Sequence, residues 1–151
     1  MKILLATDGS AHSKAMVKKF AGRTFAPNTK VRIISAYENS YMTYASPMGA
    51  MNEYNAETNK FIHKSAVAAT ENAVTILRKI KPKLSVSSAV IEGPPKVVIL
   101  EEAKKFAANL IVVGSHGYGA VAGFLMGSVS QAVALHAKCS VEIVRIEKTK
   151  K

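Results

Sequence analysis

The sequence predicts an α/β protein in which one parallel sheet is covered by helices on both faces. The length of 151 residues suits a single domain, which we place at residues 1–151. Along this length, strand-like apolar runs alternate with stripes of apolar residues at helical spacing. The runs are apolar almost continuously, which is typical of parallel strands buried on both faces.

The first part of the chain predicts two strands with a helix between them. Lys2–Thr7 is a short apolar run that leads into Thr7-Asp8-Gly9-Ser10, a turn sequence. Ala11–Phe25 carries apolar residues at helical spacing, and Pro27 ends this helix. Val31–Tyr37 is the second apolar run and is assigned as the second strand.

The middle of the chain predicts a long connection, a long helix and a third strand. Asn39–Tyr54 has no clear apolar period and is assigned as a connection longer than most loops. Asn55–Ile80 shows a sustained helical pattern that Pro82 stops. Ser85–Ile91 is assigned as the third strand.

The last part predicts two more helix–strand units. Gly93-Pro94-Pro95 starts a helix that continues to Ala108, because proline suits the first helical position. Leu110–Val113 is the fourth strand, and a glycine-rich segment leads from it to the helix Ser128–Ala137. Ser140–Ile146 is the fifth strand.

Composition excludes several classes of protein. The single cysteine, Cys139, excludes an intramolecular disulfide and a cysteine-rich zinc site, and it suits a reducing compartment. No apolar run approaches the ~18 residues of a membrane span. The apolar run at the N-terminus is also too short for a signal peptide. We therefore expect a cytoplasmic protein with no membrane partner.

The net charge of +11 reflects 21 Lys and Arg against 10 Asp and Glu. Basic residues concentrate in two blocks, 14–32 and 78–83, and neither block contains an acidic residue. Such blocks are typical of a surface that binds nucleic acid or another polyanion, or else of solvated helix faces and turns. Their helical spacing, without a recognised nucleic-acid motif, favours solvated faces.

The predicted ligand site lies at the carboxyl ends of the strands. In doubly wound sheets ligands bind there, where the strand order reverses. This rule points to a crevice between Asp8, after the first strand, and Gly114, at the end of the fourth. Two nucleotide motifs are excluded, because no glycine is followed by lysine, as a P-loop requires, and the first turn has only one glycine.

A glycine-rich segment adds a candidate phosphate site. Gly114-Ser115-His116-Gly117 follows the fourth strand, and Gly127-Ser128-Val129-Ser130 opens the next helix after a nine-residue gap. Glycines let the backbone approach a ligand closely, and free N–H groups at a helix start attract anions. The serine hydroxyls would add donors to phosphate oxygens. Alternatively, Ser128 only caps its helix and the glycines only shape a loop.

This G-x2-G-x9-G-S pattern, from Gly114 to Ser128, resembles the signature of the ATP-binding branch of the universal stress protein family. The resemblance covers the whole chain, including Ile3–Ser10 and Val141–Val144. It implies a three-layer α/β/α sandwich of the adenine nucleotide alpha hydrolase-like type, with a five-stranded parallel sheet in the order 3-2-1-4-5. It also implies ATP or another adenine nucleotide as the ligand, usually with Mg or Mn.

The resemblance assigns parts of the nucleotide to positions in this chain. Ala6 and Asp8 would contact the adenine, with Asp8 accepting a hydrogen bond from an adenine or ribose donor, and the backbone near Ala36 would contribute from the second strand. Val113 and Gly114 would flank the ribose. The residues implied along and around the phosphates are His116, Gly117, Gly127, Ser128, Val129 and Ser130.

The nine-residue spacer departs from the family pattern. Relatives often carry a basic residue there, whereas no Lys or Arg occurs between Lys105 and Lys138. Phosphate charge must then be balanced by the helix end, by a metal, or by a residue folded in from elsewhere.

Three functions follow from these observations. The leading hypothesis is a nucleotide-dependent regulator in stress response with little or slow hydrolysis, and no catalytic residue is assigned, because no nucleophile–base pair is evident. His116 is interpreted as a binding or loop-shaping residue. The alternatives are a slow metal-dependent ATPase and a basic scaffold that binds polyanions.

The expected strand order also predicts a homodimer. It places the last strand, Ser140–Ile146, at an edge of the sheet, where Val141, Ile143 and Ile146 are available for pairing. Family members commonly dimerise there.

Overall fold

The computed structural model describes residues 1–39, 50–115 and 126–146. In these ranges strands and helices alternate strictly, as the sequence predicts. In chain order the elements are β1 (Lys2–Ala6), α1 (Ala11–Ala21), β2 (Lys30–Tyr37), α2 (Ala50–Ile80), β3 (Ser85–Glu92), α3 (Pro95–Phe106), β4 (Leu110–Gly114), α4 (Ser128–His136) and β5 (Ser140–Val144).

The five strands form one sheet in the order β3-β2-β1-β4-β5, and every neighbouring pair is parallel. The predicted fold class and strand order are therefore confirmed. From β1 the chain first adds β2 and β3 on one side, then crosses to add β4 and β5 on the other. The strand order thus reverses between β1 and β4, at the predicted crevice.

Both faces of the sheet are buried. In β1, Ile3 and Leu5 belong to the apolar cluster under α1 and α2, whereas Leu4 belongs to the cluster under α3 and α4. All three are at most 1% exposed. Burial on both faces explains why the strands read as continuous apolar runs.

Two helix boundaries differ from the prediction for local reasons. α1 ends at Ala21 rather than Phe25, because Gly22 takes the C-cap position and its N–H donates to the carbonyl of Lys18 at 3.2 Å. Glycine is less favourable than alanine inside a helix by about 1 kcal/mol. α3 ends at Phe106, since Ala107 adopts a left-handed conformation with φ of 51°.

Two other predicted boundaries are also wrong. α2 begins at Ala50 rather than Asn55, so the last five residues of the predicted connection are helical, while residues 40–49 lie outside the described ranges. β5 ends at Val144, which leaves Ile146 beyond the strand. Ile146 instead packs against the cluster under α1 and α2.

An ion pair joins the sheet to α3. Arg32, in β2, places its Nε 2.6 Å from Oε1 of Glu102, whose side chain is only 9% exposed. The Nε–H makes no well-directed hydrogen bond, so the contact is an electrostatic one across a short distance. It connects β2 to the helix that covers this part of the strand.

A second ion pair joins the turn after α1 to the edge strand. The guanidinium of Arg23 and the carboxylate of Glu142 in β5 form a bidentate contact. Hydrogen bonding from Arg23 holds the pKa of Glu142 below its usual value against the opposing effect of burial, and the same contact raises the pKa of Arg23. Both side chains are about a third exposed, so the pair is worth at most about 1 kcal/mol.

Candidate functional site

The loop after β1 is held in one conformation by its own hydrogen bonds. Oδ1 of Asp8 accepts from the N–H of Ser10 at 2.9 Å, and Gly9 between them has φ of 79°, a conformation that favours glycine. Thr7 is buried, and its N–H donates to the carbonyl of Ile34 in β2 at 2.9 Å. These bonds fix the half-buried Asp8 at the carboxyl edge of the sheet.

The N-terminus of α1 is capped by a side chain of the same chain. Ser10 is its N-cap, and its side-chain oxygen accepts from the N–H of Ser13 at 3.1 Å. The hydroxyl of Ser13 in turn contacts Thr7 and the carbonyl of Ser10. This helix end offers few unsatisfied donors to a ligand.

The N-terminus of α4 is different, because no side chain caps it. Gly127 is the N-cap, in an extended conformation with ψ of 155°, and the first turn of α4 contains no acidic residue. The first N–H groups of α4 therefore have no side-chain acceptor within the cap. They carry the positive end of the helix dipole, an arrangement that binds anions.

The start of α4 is tied to the end of β4. The N–H of Gly127 donates to the carbonyl of Ser115 at 2.7 Å, and the N–H of Ser115 donates to the carbonyl of Val144 at 3.0 Å. Ser115 itself is 4% exposed. The two ends of the glycine-rich segment are thus joined beside the switch point, and α4 is held at the same edge as Asp8.

The serines at this helix start have distinct environments. The interpretation of Ser128 as a helix cap is wrong, because the cap falls on Gly127, and Ser128 is exposed at the first helical position. Ser130 is buried, and its hydroxyl faces the carbonyls of Gly127 at 2.9 Å and Ser115 at 3.3 Å. Of the two hydroxyls predicted to meet phosphate, only that of Ser128 is exposed.

The predicted apolar site residues lie on one side of the sheet. Ala6, Ala36 and Val129 pack against the cluster under α3 and α4, to which Val113 belongs. Gly114 ends β4 and is half-buried. The structure therefore brings these residues to the carboxyl edge with Asp8 and the start of α4. The predicted residues His116 and Gly117 lie outside the described ranges.

Two polar features at this edge were given no role by the sequence reasoning. Ser115 joins β4 to α4, and its position inside the glycine motif is the sequence feature that could have indicated this role. Beside Ala36, the side-chain amide of Asn39 donates to Glu92 at 2.7 Å, and the ring of Tyr37 stacks edge-on against His63 with centroids 5.1 Å apart. This group combines residues of β2, β3 and α2 or next to them, and only the folded chain brings these elements together.

Other candidate sites receive little support from the described part of the chain. There, no three His, Cys, Asp or Glu side chains are close enough together to hold a metal ion. No helix among the described residues has the length and apolar character needed to cross a membrane. Cys139 is half-buried, and burial raises the pKa of its thiol, which opposes thiolate reactivity.

Comparison with known proteins identifies the family. The model of the universal stress protein family matches residues 1–145. A universal stress protein of Thermus aquaticus is 30% identical over 146 residues, which are 95% of this chain and 97% of that protein. Universal stress protein A homolog 2 of Coxiella burnetii is 44% identical over 80 residues, a stretch that spans about half of each protein, 51% of this chain and 54% of the relative.

Solved structures agree with this assignment. The hypothetical protein MJ0577 matches with a TM-score of 0.79 at 21% identity, over 98% of this chain and 97% of that one. A universal stress protein in complex with cAMP matches with a TM-score of 0.60 at 27% identity, over 96% of both chains. With the family model matched over nearly its whole length and the same fold in both solved proteins, this chain belongs to the universal stress protein family.

Proposed function

We propose that this protein binds an adenine nucleotide between β1 and β4 and acts as a nucleotide-dependent regulator in stress response, with little or slow hydrolysis. One observation carries the proposal. The N-terminus of α4 has no side-chain cap and is held at the strand-order reversal by the bond from Gly127 to Ser115. A phosphate group is the natural ligand of such a helix end.

The roles of the neighbouring residues follow from their places around this point. Ala6 and Ala36 have small side chains at the ends of adjacent strands, which leaves space for a flat base, and Asp8 offers a carboxylate acceptor. Val113 and Gly114 would flank the ribose between base and phosphates. The relative solved with cAMP supports an adenine nucleotide as the ligand class.

The charge of the site bears on which nucleotide binds. The segment 106–137 contains no Lys or Arg, and a helix end contributes only about half a positive charge. Mg²⁺ or Mn²⁺ bound beside the phosphates would supply the missing positive charge. Mg²⁺ is typically held by one or two carboxylates together with phosphates and water, and Asp8 is a carboxylate at the right edge. We therefore propose that ATP binding depends on a divalent ion more strongly than AMP binding does.

Replacing Gly127 by valine tests the phosphate site. We expect the dissociation constant for ATP with magnesium to rise at least tenfold. A branched side chain at the N-cap would stand between the ligand and the first N–H groups of α4, and a charge-assisted hydrogen bond would be lost. Titration calorimetry of ATP, AMP and cAMP, each with and without magnesium, measures the effect.

A second glycine replacement supplies the control for this experiment. At Gly22, an added Cβ would lie 3.5 Å from the carbonyl oxygen of Lys19, an ordinary contact, so Gly22→Ala should bind as the wild type does. Binding of all three nucleotides by Gly127→Val at wild-type affinity, or no binding by the wild type, rejects the proposal. Phosphate release above the buffer rate that disappears in Ser128→Ala would instead favour the slow ATPase.

We further propose that the protein is a homodimer joined through β5. This strand is an edge of the sheet, and Val141 and Ile143 on it are half-buried. Beyond β5 no further strand covers this edge among the described residues, and an uncovered edge strand is able to pair with the same strand of a second copy. Light scattering at micromolar concentration should give twice the chain mass of 16.2 kDa, and a monomer mass would contradict the proposal.

A further inference from the structure

More than half of the basic residues of this chain lie at the edge of the sheet opposite the proposed nucleotide site. The helices of a doubly wound fold run antiparallel to the strands, so helix ends and strand starts come together. We define the amino edge as residues 1–2, 18–30, 78–85, 104–110 and 135–140. Strand register and backbone bonds join these segments, since Lys2 pairs with Lys30, Lys30 with Ser85, and the N–H of Asn109 donates to Lys2.

The amino edge is strongly cationic. Its five segments hold twelve of the 21 Lys and Arg of the chain and no Asp or Glu. Among the described ion pairs, only that of Arg23 with Glu142 of β5 involves one of the twelve. The twelve residues are Lys2, Lys18, Lys19, Arg23, Lys30, Arg78, Lys79, Lys81, Lys83, Lys104, Lys105 and Lys138.

The negative ends of the helix dipoles explain the positions of only half of these cations. Cations in the last turn of a helix complement the negative end of its dipole, and six of the twelve lie in the last turns of α1, α2 and α3. The other six lie in turns or at strand starts, where no helix end requires them. Four helix ends together contribute only about two negative charges, far fewer than the cations beside them.

Three of the five large apolar side chains that are exposed in the described part of the chain lie at the same edge, and the other two lie in the first half of α2 and at the start of α3. Met1 is 53% exposed, Ile80 44% and Leu135 72%, and each belongs to a segment of the amino edge. Ile80 ends α2 between Lys79 and Lys81, and Leu135 is in the last turn of α4. Binding at a membrane surface combines electrostatic attraction of basic residues to anionic lipids with entry of apolar side chains into the head-group boundary, and the amino edge offers both kinds of side chain.

We propose that the amino edge docks this protein on the surface of membranes that contain anionic phospholipids. Lysines near such a surface are attracted by the lipid head groups, and the three apolar side chains would enter the boundary between head groups and acyl chains. The expectation of no membrane partner was based on the lack of a spanning segment and does not bear on surface binding. Docking leaves the carboxyl edge facing solution, so it is independent of the proposed nucleotide function.

Nucleic acid is the competing partner, and two observations disfavour it. Ten of the twelve cations are lysine, whereas arginine is the residue suited to bidentate recognition of phosphate and of base edges. The exposed apolar side chains would also gain nothing from a duplex phosphate backbone.

Cosedimentation of the full chain with lipid vesicles tests the proposal. We expect binding to vesicles of phosphatidylglycerol and phosphatidylcholine, weak binding to phosphatidylcholine alone, and loss of binding at high salt. Substituting the exposed residues Lys30, Lys79 and Lys83 together by glutamine should weaken binding at least tenfold. The matched control substitutes Lys60, Lys64 and Lys96 by glutamine. It removes the same charge from exposed positions in the first half of α2 and at the start of α3, and it should bind nearly as the wild type does.

A second pair of substitutions separates lipid from nucleic acid. Ile80→Ser with Leu135→Ser keeps every charge and should weaken vesicle binding severalfold, while leaving any binding to duplex DNA unchanged. Circular dichroism confirms that each variant is folded. The proposal is overturned if the wild type does not bind anionic vesicles at low salt, or if both lysine variants lose binding equally. It is also overturned if the apolar substitutions have no effect while duplex DNA displaces the protein from vesicles, a result that assigns the amino edge to nucleic acid.

Discussion

Replacing Glu102 by alanine is expected to lower the free energy of unfolding by about 3 kcal/mol. Glu102 is 7% exposed, and its Oε1 lies 2.6 Å from Nε of Arg32. Alanine at this position leaves the guanidinium between β2 and α3 without a carboxylate. The expected loss is at the lower end of the range for buried pairs, because the side chain of Arg32 is 28% exposed and keeps some contact with water. Urea denaturation followed by circular dichroism measures the change.

A double variant distinguishes the ion pair from simple loss of packing. Arg32→Met with Glu102→Leu replaces both charges by apolar groups of similar size and should be close to the wild type in stability, because no buried charge is left unpaired. Arg32→Met alone should be destabilised, and the double-mutant cycle gives the coupling energy. A double variant as unstable as Glu102→Ala would show that the interface needs the polar pair, contrary to this account.

The strands were predictable from sequence because burial on both faces leaves a signal in each of them. Leu4 and Leu5 in β1 face opposite clusters, and both must be apolar whichever face is considered. The start of α2 carries no such signal. The first buried side chain described in α2 is Ala66, so the residues before it are not required to follow an apolar period.

For the candidate site, the sequence predicted which backbone segments come together, but not the contacts that their side chains make. The glycine motif and the strand alternation together indicated the edge between β1 and β4. Which of two neighbouring residues caps α4 depends on where helical dihedral angles begin, and the extended ψ of Gly127 decides it. The contact of Ser130 with Ser115, fifteen positions apart, exists only because the start of α4 lies beside the end of β4.

The distribution of basic residues on the surface could also not be predicted from the sequence alone. Two basic blocks were evident along the sequence, but the lysines of α3 and the turn before β5 are far from both blocks in the chain. Only the parallel topology, in which every helix ends at the same edge, places Lys104 and Lys138 at the edge that also holds Lys2 and Lys30. The surface is therefore a property of the fold rather than of either block.

Replacing Asp8 by alanine is expected to weaken nucleotide binding by about 30- to 100-fold. A hydrogen bond from a neutral donor to a carboxylate is worth about 1.5–3 kcal/mol. Asp8 is the carboxylate that its loop fixes at the end of β1, where an adenine or ribose donor would lie. Asp8→Asn keeps an oxygen that can accept from the N–H of Ser10, as Oδ1 of Asp8 does at 2.9 Å, but loses the charge. It should therefore preserve the loop and weaken binding about tenfold. Titration calorimetry with AMP compares the two variants without a contribution from magnesium.

Ser10→Ala separates direct contact from damage to the loop. Ser10 caps α1 and accepts from Ser13 at 3.1 Å, so its removal should destabilise the protein by about 1 kcal/mol. It leaves the carboxylate of Asp8 in place and should change AMP affinity less than threefold. If Ser10→Ala weakens binding as much as Asp8→Ala, the loss arises from the loop, and Asp8 acts by positioning the backbone. If neither variant changes the affinity, the nucleotide does not occupy this end of β1. Direct contact between the ligand and the Asp8 carboxylate predicts one order of AMP affinities. Asp8→Ala should bind most weakly, Asp8→Asn should be intermediate, and Ser10→Ala should bind nearly as the wild type does.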